Sequence, residues 1–171
     1  MQILTTFIKC FATAIFFAAL PQALGQSAAS QESPSSKELV HLFLSEVRSG
    51  KFPERARLYM AGTVIAHQVQ SEAPVSIERT PEDYANHVRE FIRLFGQFEF
   101  QITELLADGP KVYARWVQDG CHLQEMDGHK PTGAPLVEYT SAVYRVENGK
   151  IAEYWLQTDR KGFETQLQRG H

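Results

Sequence analysis

The period of the apolar pattern changes midway along the chain, and this change limits the fold more than any other feature. From Phe98 onward the period is two: Phe98, Phe100, Ile102, Glu104 and Leu106 alternate with Glu99, Gln101, Thr103 and Leu105. Such alternation belongs to a strand with one buried face. Asp108-Gly109-Pro110 turns the chain into Val112, Ala114 and Trp116, and Pro135–Glu147 forms another long strand. Asn148-Gly149 is the preferred two-residue hairpin turn and leads into Ile151–Thr158.

The first half has a helical period. Ser35 and Glu38 form a capping box, with Leu39, Val40, Phe43, Leu44 and Val47 on one face and Gly50 as the stop. Pro53 opens a shorter helix through about Met60, and Thr63–Gln70 is strand-like. A third helix has Thr80 as cap and Pro81 at its first position. Tyr84, Val88, Phe91, Ile92 and Phe95 form its stripe before Gly96. Helices followed by long antiparallel strands predict an α+β domain, with a curved sheet wrapped against a helical layer. A sheet of that kind leaves a cone-shaped pocket suited to a small molecule.

The N-terminus reads as an export signal. Lys9 is the only charge before the apolar run Cys10–Leu20, and Ala23-Leu24-Gly25 places small residues three and one before a cut at Gln26. Ile3–Leu20 is only eighteen residues, short of the roughly 20 that a spanning helix needs. The expected organisation is a signal peptide over 1–25, a flexible polar lead over 26–36 and one domain over 37–171. The mature protein would be periplasmic or secreted, without stable membrane insertion. Cys121 would then be the sole cysteine, leaving no internal disulfide, and reads as a buried, inert thiol.

Seventeen Lys and Arg against twenty Asp and Glu argue against a polybasic nucleic-acid protein. There is no Walker loop, Cys-x-x-Cys, Gly-x-Gly-x-x-Gly, His-x-His or Gly-x-Ser-x-Gly. No cofactor and no metal is therefore expected, and any catalysis would be of the acid–base kind. His67 shares a strand face with Ile65 and Val69 and could serve as a base. His122 follows Gly120-Cys121 at the start of a strand, and Asp159 ends the last strand. Strand ends in a meander can bring such residues to one rim, although Asp159 also reads as a turn residue in Asp-Arg-Lys-Gly. Glu138, Glu153 and Gln157 alternate with apolar neighbours, and either sheet face could line the cavity. Trp116, Tyr139, Trp155 and Gln157 are the candidate pocket wall.

These residues also carry a resemblance. Gly120-Cys121-His122-Leu123-Gln124-Glu125-Met126-Asp127-Gly128-His129-Lys130-Pro131-Thr132-Gly133 resembles the Gly-Thr-His…Gly…Pro-Thr-Gly segment of SnoaL-like proteins, the polyketide or ester cyclase group of the nuclear-transport-factor-2-like superfamily. Leu106–Gly109 with Val112–Trp116, and Val143–Glu153 followed by Trp155 and Asp159, are similar to that family's strands. The likeness runs from about Thr80 to Leu167. It implies a cone-like α+β barrel enclosing a pocket. It also implies an acid near the last strand, matched by Asp159, with His122 and a strand histidine, His67, assisting. Leu156 stands after Trp155 where many relatives carry Asp or Asn, and Leu123-Gln124 replaces the common Thr-Gly.

Three functions follow as expectations. The first is a cofactor-independent cyclase, isomerase or hydrolase acting on a small, partly apolar carbonyl compound, with Asp159 moving the proton. The second is a non-catalytic binding protein using the same pocket. The third is an interaction module that pairs as a homodimer through the exposed sheet face.

Overall fold

A serine hydroxyl starts the first helix. In the computed structural model, which describes residues 34–169, Ser35 Oγ accepts the Glu38 backbone N–H at 3.2 Å and opens α1 (Ser36–Phe43). The helix continues as a wider π turn over Leu44–Arg48 and is released at Gly50, whose φ of 80° suits glycine. Its buried stripe is Leu39, Val40, Phe43, Leu44 and Val47, and Arg48 lies beside it. After a tight turn at Pro53–Arg55 come α2 (Ala56–Tyr59), β1 (Met60–Gln68) and β2 (Val75–Arg79). The third helix, α3 (Pro81–Phe95), has the reciprocal cap its sequence announces. Thr80 Oγ1 accepts from Asp83 N, and Asp83 Oδ2 accepts from Thr80 N at 2.9 Å.

β3 (Glu99–Asp108), β4 (Lys111–Cys121), β5 (Pro135–Glu147) and β6 (Lys150–Thr158) follow, and α4 (Arg160–Arg169) closes the described chain. The six strands form one sheet in the order β2-β1-β6-β5-β4-β3. Every pairing is antiparallel except β1 with β6, which is parallel. Asn148 and Gly149 both have positive φ, as the two-residue hairpin turn requires. Register irregularities at Ile102/Glu104, Arg145/Val146 and Met60/Ile65 mark where strands bend. The result is a mixed α+β fold with a curved sheet over helices. The sheet does not close into a barrel, since β2 and β3 remain as its edges.

The helix-facing side of the sheet carries Val64, Ala66, Val112, Ala114, Trp116, Ala142, Tyr144 and Tyr154, which pack on Leu39, Val40, Phe43, Tyr84 and Val88. A second cluster of Phe95, Met126, Leu136 and Leu167 seats α4. Gly120 lets β4 approach the end of α3, where a Cβ would lie 2.8 Å from the Phe95 carbonyl oxygen.

Two elements depart from the sequence reading. β2 was not expected, because Val75-Ser76-Ile77-Glu78-Arg79 is a short edge strand exposed along most of its length and has no buried face to advertise itself. α4 was not expected either, since Gly162 and a polar surface weaken its period. β4 runs through Cys121, so His122 leaves a strand rather than starting one. The proposed signal and most of the lead lie outside the described residues. Among the described residues no helix is long and apolar enough to cross a membrane.

Candidate active site

The inner face of the sheet is apolar until its wide end, where polar residues take over. Along β5 the inward positions run Tyr144, Ala142, Thr140, Glu138, and on β4 Gln118 follows Trp116. The register pairs Gln118 with Glu138 and Thr140 with Thr158, so these side chains converge. Arg48 meets them from the helical layer. Its Nη1 donates to Gln118 Oε1 at 2.7 Å and its Nη2 to Glu138 Oε1 at 3.3 Å. Thr140 donates to the same glutamate oxygen at 3.2 Å and lies 3.1 Å from Thr158 Oγ1.

Arg48 is 3% exposed and Glu138 8%, so this ion pair is held away from bulk water. The guanidinium also lies over the Phe91 ring at 4.5 Å and near the Trp116 and Phe100 rings. Burial of a lone charge would be costly, and the pair compensates both members. Among the described residues no hydrogen bond reaches Glu138 Oε2, whereas Oε1 takes both bonds.

Two spaces meet at this carboxylate. A small interior cavity of about 30 Å³ is lined by Arg48, Arg79, Tyr84, His87, Glu138 and Tyr154, among others. An open cleft of about 930 Å³ lies outside it, bounded by Val69–Glu72, Asp127, His129 and the first turns of α4. Glu138 and Thr158 line both. Arg160 bridges the cleft, donating to Gln70 Oε1 at 2.6 Å and pairing with Glu72.

His87 borders the cavity between Tyr84 and Phe91. Burial pushes its imidazole down to about 4, and the positive charges of Arg79 and Arg48 act in the same direction against a small opposing effect of Glu90. The ring is therefore neutral near pH 7. Above its ordinary value of 6.5 both folded and unfolded chains hold it neutral. Below that the unfolded chain gains a proton that the folded chain refuses, so stability is lost as pH falls toward 4. The free energy of unfolding from urea titrations over this range should fall for the wild type, by an amount on the order of 2 kcal/mol. It should fall less for His87→Phe, and an unchanged slope in the variant would place the effect elsewhere.

The sequence candidates are dispersed over three places, not gathered in one pocket. His67, Trp155, Tyr139 and Gln157 occupy the face turned away from the helices, because Ala66 and Gln68, not His67, point inward. There His67 Nδ1 is 2.7 Å from Ser76 Oγ and Nε2 is 2.8 Å from Glu153 Oε1, with Trp155 stacked on the ring at 5.1 Å. Hydrogen bonding from His67, and then from Arg145, holds the Glu153 carboxyl below its usual range. Asp159 joins Tyr139 and Gln157 along a shallow outer hollow of about 240 Å³, and Gln157 also lines the cleft of about 930 Å³. It is exposed, and its Oδ1 accepts from Gly162 N at 2.9 Å, capping α4. His122 is buried and pinned to the following loop: its N–H donates to Ala134 O, and Nδ1 lies 3.3 Å from Thr132 Oγ1. Trp116 is fully buried in the core.

Arg48, Gln118, Thr140, Thr158 and His87 were missed. One signal was available, because Arg48 stands one helical turn beyond Leu44 and so continues the apolar stripe of α1. Glu138 was in view but its face was open. Among the described residues no group of three or more His, Cys, Asp or Glu is placed to hold a metal ion.

A curved sheet over helices, with polar groups converging at the open end of its inner face, defines a small-molecule pocket protein of the cone type. Comparison with known proteins specifies the class further. The profile of SnoaL-like polyketide cyclases matches residues 38–167. The fold is shared with a protein assigned as a polyketide cyclase from Acidithiobacillus ferrooxidans, at 26% identity and a TM-score of 0.70, covering 82% of this chain and 99% of that one. It is also shared with IdmH of Streptomyces antibioticus, likewise assigned as a polyketide cyclase, at 23% identity and a TM-score of 0.66, covering 79% and 99%. Among curated proteins none matches. The chain belongs to the SnoaL-like polyketide cyclase family.

Proposed function

We propose that the chain is an exported, cofactor-independent acid–base catalyst of the cyclase type, acting on a small, partly apolar carbonyl compound, and that Glu138 moves the proton. The observation that carries this reading is the position of Glu138: a buried carboxylate at the junction of cleft and cavity, with one oxygen committed to Arg48 and Thr140 and the other open.

The open oxygen takes a proton from the carbon next to a carbonyl, and the electron pair of that C–H bond moves onto the carbonyl oxygen as an enolate. The Arg48 charge stabilises the anion in surroundings of low dielectric. The enolate carbon then attacks a second carbonyl of the same molecule, forming the ring C–C bond. Glu138 returns its proton to the new alkoxide, and the catalyst is restored.

The test uses a small-molecule extract of the protein's own cells, resolved by mass spectrometry after incubation. Glu138→Gln, which keeps an acceptor oxygen for Arg48 and Thr140, should lose about 10²–10⁴-fold in the rate at which a compound is altered. Asp159→Asn should keep that rate, because asparagine caps a helix as well as aspartate. The reverse pattern would transfer the role to Asp159. A compound bound and recovered unchanged would make the protein a carrier.

Export rests on the N-terminal pattern. The intact mass of the protein recovered from outside the cytoplasm should correspond to a chain beginning at Gln26. A full-length mass there would exclude cleavage.

A further inference from the structure

We infer that the interior cavity receives the carboxylate of a carbonyl substrate, held by Arg79, Tyr84 and Tyr154, while the body of that substrate occupies the cleft. This names the substrate class for the site proposed above, and rests on that reading.

The cavity is lined by more donors than the fold uses. Arg48 has its counter-ion in Glu138, but the side chain of Arg79, half-buried at the end of β2, makes no hydrogen bond or ion pair among the described residues. Asp83, four residues on, accepts from the Thr80 hydroxyl and N–H; these bonds, and to a lesser degree the Arg79 charge, hold its carboxyl below the usual range, but no direct ion pair joins it to Arg79. Tyr84 is 3% exposed and Tyr154 4%, and neither hydroxyl is hydrogen-bonded to any described residue. Neither hydroxyl is among the fully buried polar atoms that lack a partner, and both tyrosines line the cavity, so with the Arg79 guanidinium they offer donors to an acceptor placed there.

Charge selects the kind of acceptor. Two arginines face one glutamate across this cavity, and His87 adds no charge near neutral pH. Among the residues that line the cavity, positive charges outnumber negative ones, which favours an anion over a neutral carbonyl. Burial raises both tyrosine hydroxyls above their usual range, so they remain donors.

Size limits the anion. A cavity of about 30 Å³ has room for one small polar group and none for an aromatic ring. A carboxylate is planar and matches the forked donors of a guanidinium. The remainder of the ligand then extends past Glu138 and Thr158 into the cleft, carrying its ketone past the proposed proton acceptor.

A matched pair of probes tests this without knowledge of the natural substrate. Calorimetric titration of the full chain with para-acetylbenzoate and with para-acetylbenzamide compares an anion with its neutral counterpart. The anion should bind about tenfold more tightly. Arg79→Gln should bring the ratio near one, Arg79→Lys should keep most of it, and Tyr84→Phe with Tyr154→Phe should reduce it. Equal affinities in the wild type overturn the carboxylate assignment and leave the acid–base reading standing. A preference for the anion that persists in Arg79→Gln also overturns it, because the anion is then held elsewhere. Failure of both probes to bind overturns it as well, and the Glu138→Gln rate comparison then decides the catalytic reading independently.

Discussion

Arg48→Met should lower the free energy of unfolding by about 3–5 kcal/mol in urea titration, because it strands the Glu138 carboxylate in a buried site. The same change removes the 2.7 Å bond to Gln118, whose Nε2 already lacks a partner. The double replacement Arg48→Met with Glu138→Leu should recover most of that loss, since two apolar side chains of similar volume need no compensation. The double variant should fold and do no chemistry. That contrast separates the two roles of the pair: its presence is costly for the fold and necessary for the site. If the single variant loses less than about 1 kcal/mol, the pair is solvated as a surface pair would be, and Glu138 is not the buried acid described above.

Trp116→Ala should cost a similar amount, about 3–5 kcal/mol, by leaving a cavity where the largest fully buried side chain now stands. The indole lies 6.0 Å from the Phe100 ring and near the Arg48 guanidinium, and its Nε1 has no hydrogen-bond partner among the described residues. Trp116→Phe should keep most of the stability, because it retains an aromatic filling and deletes an unsatisfied donor. Thermal and urea midpoints are the measurements that decide. A stable Trp116→Ala protein with weakened ligand binding would return Trp116 to the pocket wall, where the sequence reading placed it.

The parts of the fold that could be read in advance were those with their own local signals. Thr80, Pro81 and Asp83 define the start of α3, Gly96 ends it, and Asn148-Gly149 sets the last hairpin, each through the backbone of a few adjacent residues. β2 and α4 have no such signals, since their places are set by neighbours far away in sequence: β1 for the one, and Val137, bonded on both its N–H and C=O by Gln166, for the other. The site was harder for a related reason. Alternation shows that Glu138 and Tyr139 lie on opposite faces of β5, but not which face meets the helices. A shift of one residue exchanges them. Glu138 was thus visible as a polar residue on a strand, while its partner, 90 positions away on the π turn that extends α1, was not. His67 shows the opposite outcome of the same ambiguity: its position on β1 was legible, and its orientation toward Ser76 and Glu153 on the outer face was not.

The parallel pairing of β1 with β6 has a consequence in time. Ile65 lies opposite Glu153 and Gln68 opposite Leu156, so the first strand made has no neighbour on that side until the last strand exists. During synthesis β1 can pair only with β2, an exposed edge strand, and a two-stranded hairpin is marginal in water. The sheet cannot be completed until β6 has been made, and closing so long a loop slows the folding that follows. An emerging chain therefore carries an incomplete sheet until β6 has been made. If export through an N-terminal signal is verified, that delay leaves it in the extended form that can be threaded across a membrane before it folds.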